Sequence, residues 1–181
     1  MATLVALLAV AFSSRAAELE GLHFAERVRV EEHELDLRGL ALLRYRIVFR
    51  AYVAAFYLPP QTPSDAALSD VPKRLEIEYF WALEGADIAR LGEEIVARNV
   101  SHADFEKLQE RLSRIGAVYR DIQVGDRYAL NYAPGVGTEL ALNGEPLVTI
   151  PGADFAKAYF SIWLGPRPLD EALKRSLLGG S

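Results

Sequence analysis

Residues 127–150 contain three strand-like segments joined by two tight turns, and this feature constrains the fold more than any other. The segments RYALNYA, TELAL and PLVTI are separated by PGVG and by the dipeptide Asn143-Gly144. An Asn-Gly pair between two strand patterns is a strong signal for a two-residue hairpin. Because tight turns connect antiparallel neighbours, the sequence predicts a β-meander within an antiparallel sheet.

Further strand patterns precede this meander. Much of 19–58 alternates or is rich in β-branched and aromatic residues, including RVRV and HELDL. A proline-rich loop follows at 59–65, and alternation resumes at 74–83.

Helical patterns occur in two pairs along the chain. Apolar residues recur at helical spacing over 86–99 and 103–116, and Ser101 with Asp104 forms a capping box before the second helix. A third helix is predicted over 152–164. A shorter amphipathic helix follows, with apolar positions at Leu169, Leu173 and Leu177. The order strands, two helices, strands, two helices predicts an α+β fold with helices layered on one face of the sheet.

Composition excludes several classes of function. The chain has 181 residues, a net charge of −5 and no cysteine. The acidic balance disfavours a general nucleic-acid binder, and the lack of cysteine excludes disulfides and thiolate catalysis. The three histidines lack metal-ligand spacing, and no phosphate-binding or nucleophile-elbow motif is present. The sequence therefore predicts neither a metal nor a cofactor.

The first residues have the pattern of a secretory leader. Residues 1–12 are almost wholly apolar, and Ser14 and Ala16 have the small-x-small spacing of a cleavage site. We expect a signal peptide over 1–16, a single domain over 17–181 and a periplasmic or secreted protein with no later transmembrane segment. No basic residue precedes the apolar run, and a short N-terminal core helix or membrane anchor is the alternative.

The segment LLRYRIVFRAYVAAFYL, residues 42–58, is the most informative for function. Taken as one strand, its odd positions form an apolar face, while its even positions begin with Arg44, Arg46 and Arg50 and continue through Tyr52. Two interpretations remain open. Either the arginines lie on a solvated sheet face, or at least one enters a cavity where it binds an anion, with Tyr52 as a second donor.

Distance restricts the second interpretation. Eight residues of unbroken strand span about 26 Å, so Arg44 and Tyr52 could not share one carboxylate on a straight strand. They can meet only if the chain reverses near Tyr45–Val48. No Gly, Pro or Asn marks a turn there.

Two long segments carry a family resemblance. GLALLRYRIVFRAYVAAFYLP (39–59) and IPGADFAKAYFSIWLGPRPLDEALKRSLLG (150–179), together with the NYAPGVGTELALNG hairpin, resemble the chalcone isomerase-like family, and most closely its bacterial, exported branch. The resemblance covers roughly 19–179. It implies an open-faced β-sandwich, in which a large antiparallel sheet is covered by helices on one side and a cleft lies between the layers.

The resemblance also implies site residues. The fatty-acid-binding members hold the carboxylate with an arginine and a tyrosine, which Arg44 and Tyr52 match, whereas the true isomerases have a threonine at the tyrosine position. The isomerases place a tyrosine and an asparagine on the first helix, at positions that Ile88 and Ile95 occupy here. These two residues are seven apart and share one helix face. The polar groups of an isomerase site are therefore replaced by apolar ones.

We accordingly expect a non-catalytic periplasmic binding protein for a fatty acid or a similar small amphiphilic carboxylate. Arg44 and Tyr52 are the predicted head-group residues. The candidates for the tail region or plain core are Phe49, Phe56, Ile88, Leu91, Ile95 and Phe155. An isomerase or lyase and a structural envelope protein with a filled cleft are the alternatives, and the oligomeric state stays open.

Overall fold

A computed structural model describes residues 16–45 and 49–180. Their strands form a two-stranded and a seven-stranded sheet, and the larger one follows chain order from β3 to β9. The strands are β1 Ala16–Leu19, β2 Leu22–Ala25, β3 Arg27–Val30, β4 His33–Tyr45, β5 Phe49–Leu58, β6 Lys73–Tyr79, β7 Arg127–Ala133, β8 Gly137–Leu142 and β9 Glu145–Ile150. Every neighbouring pair in the larger sheet is antiparallel, which confirms the predicted meander.

Four helices within the described residues complete the fold. They are α1 Gly85–Asn99, α2 His102–Gly116, α3 Ala153–Leu164 and α4 Glu171–Leu177. Ser101 caps α2 as predicted, since its side chain accepts a hydrogen bond from the Asp104 N–H at 3.2 Å. No helix in this part of the chain is both long and apolar enough to cross a bilayer.

The central strand β5 explains how the layers assemble. From Tyr52 to Leu58 its side chains alternate between two cores, and all of them are buried. Ala54, Phe56 and Leu58 pack in the core that contains the helices. Val53 and Tyr57 pack in a second core on the opposite face. The helices therefore cover one face of the sheet, in agreement with the predicted open-faced β-sandwich.

The β1–β2 hairpin covers part of the opposite face. Phe24 of β2 is almost wholly buried there, and the Arg127 guanidinium lies 4.6 Å from the centroid of its ring. The hairpin turn consists of Glu20 and Gly21, which both have positive φ, at 55° and 81°. Such a turn is typical of two-residue hairpins, although glutamate rarely occupies this conformation.

The prediction of one unbroken strand over 42–58 is wrong. β4 ends at Tyr45, and β5 begins at Phe49 and runs antiparallel to it. The pairing also shifts between Leu43 and Arg44, because Leu43 lies opposite Tyr52 and Arg44 lies opposite Arg50. A single alternation therefore does not extend across the segment. Arg46 and the predicted leader, apart from Ala16 at the start of β1, lie outside the described residues.

Candidate functional site

A cavity of about 1100 Å³ lies between the larger sheet and helices α1 and α3. Its volume is at the upper end of the range found for small-molecule sites. Strands β4 to β8 supply one wall, including Leu43, Ile77 and Leu130, and the two helices supply the other. Most of the lining side chains are aliphatic or aromatic. The space between the layers is therefore open, and it can hold an apolar molecule.

Helix α1 presents the face that its sequence predicted. Ile88 and Ile95 both line the cavity, and Leu91 lines it between them. Ile95 is almost fully buried, whereas Leu91 is partly exposed to solvent. From α3, Ile162 and Trp163 complete this wall. The helix wall thus offers only hydrocarbon at Ile88 and Ile95.

The mouth of the cavity is rimmed by exposed aromatic side chains. Phe49 and Trp81 are each about half exposed, at 50% and 52%, and their rings meet edge to face with centroids 5.9 Å apart. The Trp81 indole N–H donates to the Arg50 carbonyl oxygen at 2.6 Å, which fixes the ring at the rim. Phe49, predicted as a tail or core residue, therefore lies at the entrance.

Two other predicted residues do not line the cavity. Phe56 is wholly buried in the core of the helix-covered face, farther along β5. Phe155 is also wholly buried, and its ring is stacked on that of Tyr159 with centroids 5.3 Å apart. Both side chains support the walls of the cavity rather than forming its surface.

The reversal between β4 and β5 brings Arg44 and Tyr52 onto adjacent strands. Tyr52 lies opposite Leu43, the residue next to Arg44, and both Arg44 and Tyr52 line the cavity. The chain reversal that a site shared by Arg44 and Tyr52 requires is therefore present. Arg44 nevertheless lies at the mouth rather than inside, since 48% of its side chain is exposed.

The Arg44 guanidinium already has a carboxylate partner from its own chain. Its Nη2 lies 3.1 Å from Glu20 Oε1, and Arg50 Nη1 lies 3.2 Å from Glu20 Oε2. The Arg50 guanidinium also stacks on Phe80, 4.6 Å from the ring centroid. Glu20 of the β1–β2 turn therefore bridges two arginines on the hairpin-covered side of the sheet, although Arg44 also contributes to the cavity lining.

The Tyr52 hydroxyl can donate a hydrogen bond to a ligand. Its hydroxyl oxygen accepts the Trp163 indole N–H at 3.1 Å, which leaves its own proton free to donate. Burial raises the pKa of Tyr52, mainly because the charged phenolate would lose its solvation. The hydroxyl is therefore protonated at neutral pH.

Sequence reasoning missed a set of aromatic residues in the cavity. The structure adds Tyr79, Trp81, Tyr119, Tyr128, Tyr159 and Trp163 to its lining. Tyr79 lies in the alternating segment 74–83 and Tyr159 in the predicted third helix, but such patterns do not distinguish a core position from a cavity wall. The described residues hold no group of three or more His, Asp and Glu side chains suited to a metal ion.

The fold is a layered sheet-and-helix fold with a cavity between its layers, and the sequence assigns the chain to a family. Residues 16–179 match the family described as chalcone isomerase-like, and the chain belongs to it. A comparison with curated proteins found no significant match.

Among solved structures, the chain is similar to a fatty-acid binding protein of Arabidopsis thaliana. The TM-score is 0.72 at 13% sequence identity, and the match covers 91% of this chain and 96% of the plant protein. At this identity the likeness establishes the fold, and it confirms the architecture predicted from the sequence.

Proposed function

We propose that this protein is a non-catalytic binding protein for a fatty acid or a similar amphiphilic carboxylate. The observation that carries the proposal is the cavity of about 1100 Å³, which is mostly apolar and has an arginine at its mouth. Apolar walls favour an alkyl chain, since each square ångström removed from water contributes about 25 cal/mol. A guanidinium is the side chain best shaped to pair with a carboxylate. The plant protein of the same fold, described as fatty-acid binding, supports this assignment.

The head group would bind between Arg44 and Tyr52. The Arg44 guanidinium would leave Glu20 and turn toward the cavity to pair with the ligand carboxylate, and the free Tyr52 proton would donate a second hydrogen bond. The chain of the ligand would then run along Ile88 and Ile95 of α1. Because the arginine is half exposed, the carboxylate can stay near water while the tail is buried.

The two alternative functions receive less support. An isomerase needs polar groups on the α1 face, and Ile88 and Ile95 supply only hydrocarbon there. A structural protein with a filled cleft needs side chains packed between the layers, whereas the cleft here is open.

We further propose that the protein is exported, with residues 1–16 as its signal peptide and the periplasm or the medium as its location. The apolar run and the small residues before Ala17 support this proposal. N-terminal sequencing of the protein recovered from fractionated cells tests it. A protein that remains in the cytoplasm with its first residues intact would contradict it.

A ligand titration tests the binding function. Both tryptophans of the chain line the cavity, so intrinsic fluorescence reports occupancy directly. We expect palmitic acid to change this emission and native mass spectrometry of freshly purified protein to detect a co-purified amphiphile. Arg44→Ala should weaken palmitate binding about two- to fivefold, because Arg44 is half exposed and a solvent-screened ion pair contributes up to about 1 kcal/mol.

Arg90→Ala is the matched control, since Arg90 also lines the cavity but is paired with Asp87 and Glu94 of its own helix. It should leave the affinity unchanged. The absence of any binding by the wild-type protein, or equal affinities for wild type and Arg44→Ala, would refute the proposal.

A further inference from the structure

A group of tyrosine hydroxyls lines the part of the cavity away from Arg44. Tyr79, Tyr119, Tyr128 and Tyr159 all contribute to the wall. The hydroxyl oxygens of Tyr119 and Tyr159 are 2.8 Å apart, and the rings of Tyr119 and Tyr128 meet edge to face at 5.0 Å. The Tyr79 ring likewise meets that of Tyr128 at 6.4 Å. A saturated alkyl tail forms no hydrogen bonds, so binding such a tail does not explain why hydroxyl groups line this part of the cavity.

Not all of these hydroxyl protons are used within the protein. The Tyr128 hydroxyl already donates and accepts within the protein. It accepts from the Arg120 backbone N–H at 2.8 Å and donates to the Arg120 carbonyl oxygen at 3.0 Å. Tyr119 and Tyr159 share a single hydrogen bond, which leaves one of their two protons uncommitted. The Tyr79 hydroxyl makes no hydrogen bond among the described residues, and it is not one of their fully enclosed unpartnered atoms, so it faces the cavity. Burial raises the pKa of Tyr79 and Tyr119, so both remain donors at neutral pH.

These donors lie at a defined distance from the proposed head-group site. Leu43, beside Arg44, is opposite Tyr52 on β5, and Tyr52 is opposite Tyr79 on β6. Two strand spacings therefore separate the backbones of Arg44 and Tyr79, or about 10 Å. Tyr128 lies one strand farther, on β7. An amphiphile anchored at Arg44 would carry the middle of its chain past these hydroxyls.

We propose that the Tyr79 hydroxyl and the Tyr119–Tyr159 pair form an inner subsite that binds an oxygen atom on the chain of the ligand. The ligand class is then a fatty acid with a hydroxyl or keto group on its chain. Hydroxyls that line an apolar cavity and have protons free to donate can bind such a group directly, since a few placed polar groups in an apolar pocket fix the orientation of a ligand. This inference rests on the proposed function and specifies its ligand.

Tyr79→Phe is the informative substitution. It removes only the hydroxyl, which has no partner, and keeps the ring that packs against Tyr52 and Tyr128. We therefore expect the variant to fold with an unchanged or slightly higher Tm. The probes are palmitic acid and a series of hexadecanoic acids with one hydroxyl or keto group at different chain positions, titrated by tryptophan fluorescence.

The wild-type protein should bind at least one oxygenated acid more tightly than palmitic acid. Tyr79→Phe should lower that affinity about three- to tenfold and leave palmitate binding unchanged or tighter. The control is Tyr128→Phe, whose hydroxyl lies in the same wall but is committed to Arg120. It should reduce stability and affect the two kinds of ligand equally.

The outcomes separate the subsite from the function on which it rests. If Arg44→Ala weakens binding of both kinds of acid but Tyr79→Phe does not discriminate between them, fatty-acid binding stands and the inner subsite is wrong. If the oxygenated acids bind no more tightly than palmitic acid, the subsite is also wrong. If the wild-type protein binds none of these acids, both proposals fail.

Discussion

Glu20 is predicted to compete with the ligand for Arg44. Its carboxylate bridges Arg44 and Arg50 at 3.1 and 3.2 Å, and it is supplied by the turn of the β1–β2 hairpin. A fatty-acid head group can pair with Arg44 only after this ion pair is broken. Glu20→Gln keeps the size of the side chain and the backbone conformation of the turn while removing the charge. We therefore expect it to increase the affinity for palmitic acid.

The magnitude follows from the exposure of the pair. The side chains of Arg44 and Glu20 are 48% and 27% exposed, so solvent screens their interaction substantially. Such pairs contribute about 0.2–1 kcal/mol. Removal of the competing carboxylate should therefore tighten palmitate binding about two- to fivefold. The stability of the protein should fall by no more than about 1 kcal/mol.

The assay is a fluorescence titration with palmitic acid at two salt concentrations. Glu18→Gln is the matched control, because Glu18 carries the same charge on β1 but pairs with His23 instead. A double-mutant cycle with Arg44→Ala completes the design, since the gain from Glu20→Gln should vanish when Arg44 is absent. Equal or weaker binding by Glu20→Gln, or a gain that persists without Arg44, would refute the idea that Glu20 competes for Arg44.

Three further predictions concern stability. A Cβ on Gly39 would overlap the Ser176 carbonyl oxygen and lie 2.9 Å from that of Leu177, both in α4, so Gly39→Ala should destabilise the protein by about 1–3 kcal/mol in urea denaturation. By contrast, Gly92→Ala should be neutral or stabilising by up to about 1 kcal/mol, because its Cβ would lie in a helix at ordinary contact distances of 3.5 Å and beyond. Burial of the Lys73 ammonium lowers its pKa from 10.5 to about 8, partly opposed by Asp70. Between these values the unfolded chain binds more protons, so stability should rise by about 1–2 kcal/mol from pH 8 to about pH 9.5, and this rise should be absent in Lys73→Met.

The sequence predicted most of the fold because the decisive turns and caps have local signals. Asn143 and Gly144 adopt the positive φ values, 52° and 82°, that their residue types favour, and β8 and β9 meet there. Ser101 likewise caps α2 through a hydrogen bond that depends only on neighbouring residues. Interactions over three or four residues are readable from a single sequence.

The break between β4 and β5 has no such signal. Neither Tyr45 nor Phe49 is a turn residue, and no Gly, Pro or Asn lies between them. The reversal is stabilised instead by pairing along the length of the two strands, from Asp36 with Leu58 to Tyr45 with Phe49. This is tertiary information, and sequence pattern alone does not contain it. The ion pair of Arg44 with Glu20 was missed for the same reason, since the two residues are 24 positions apart.

The lining of the cavity illustrates a more general limit. Tyr57 and Tyr79 are both strand tyrosines within alternating patterns, and both are buried. Tyr57 points into the second core on the face opposite the helices, whereas Tyr79 lines the cavity. Alternation specifies which face a side chain occupies but not whether another side chain fills the space above it.

What distinguishes this cavity chemically is the placement of its polar groups. The α1 wall presents Ile88 and Ile95, while the hydroxyls come from β5, β6, α3 and the segment after α2. A saturated chain would offer no acceptor to the Tyr79 hydroxyl, which faces the cavity. Under the proposed inner subsite, the ligand itself supplies that acceptor. The apolar helix wall would then set the capacity of the site for a chain, and the phenols of the sheet and α3 would set which chain it prefers.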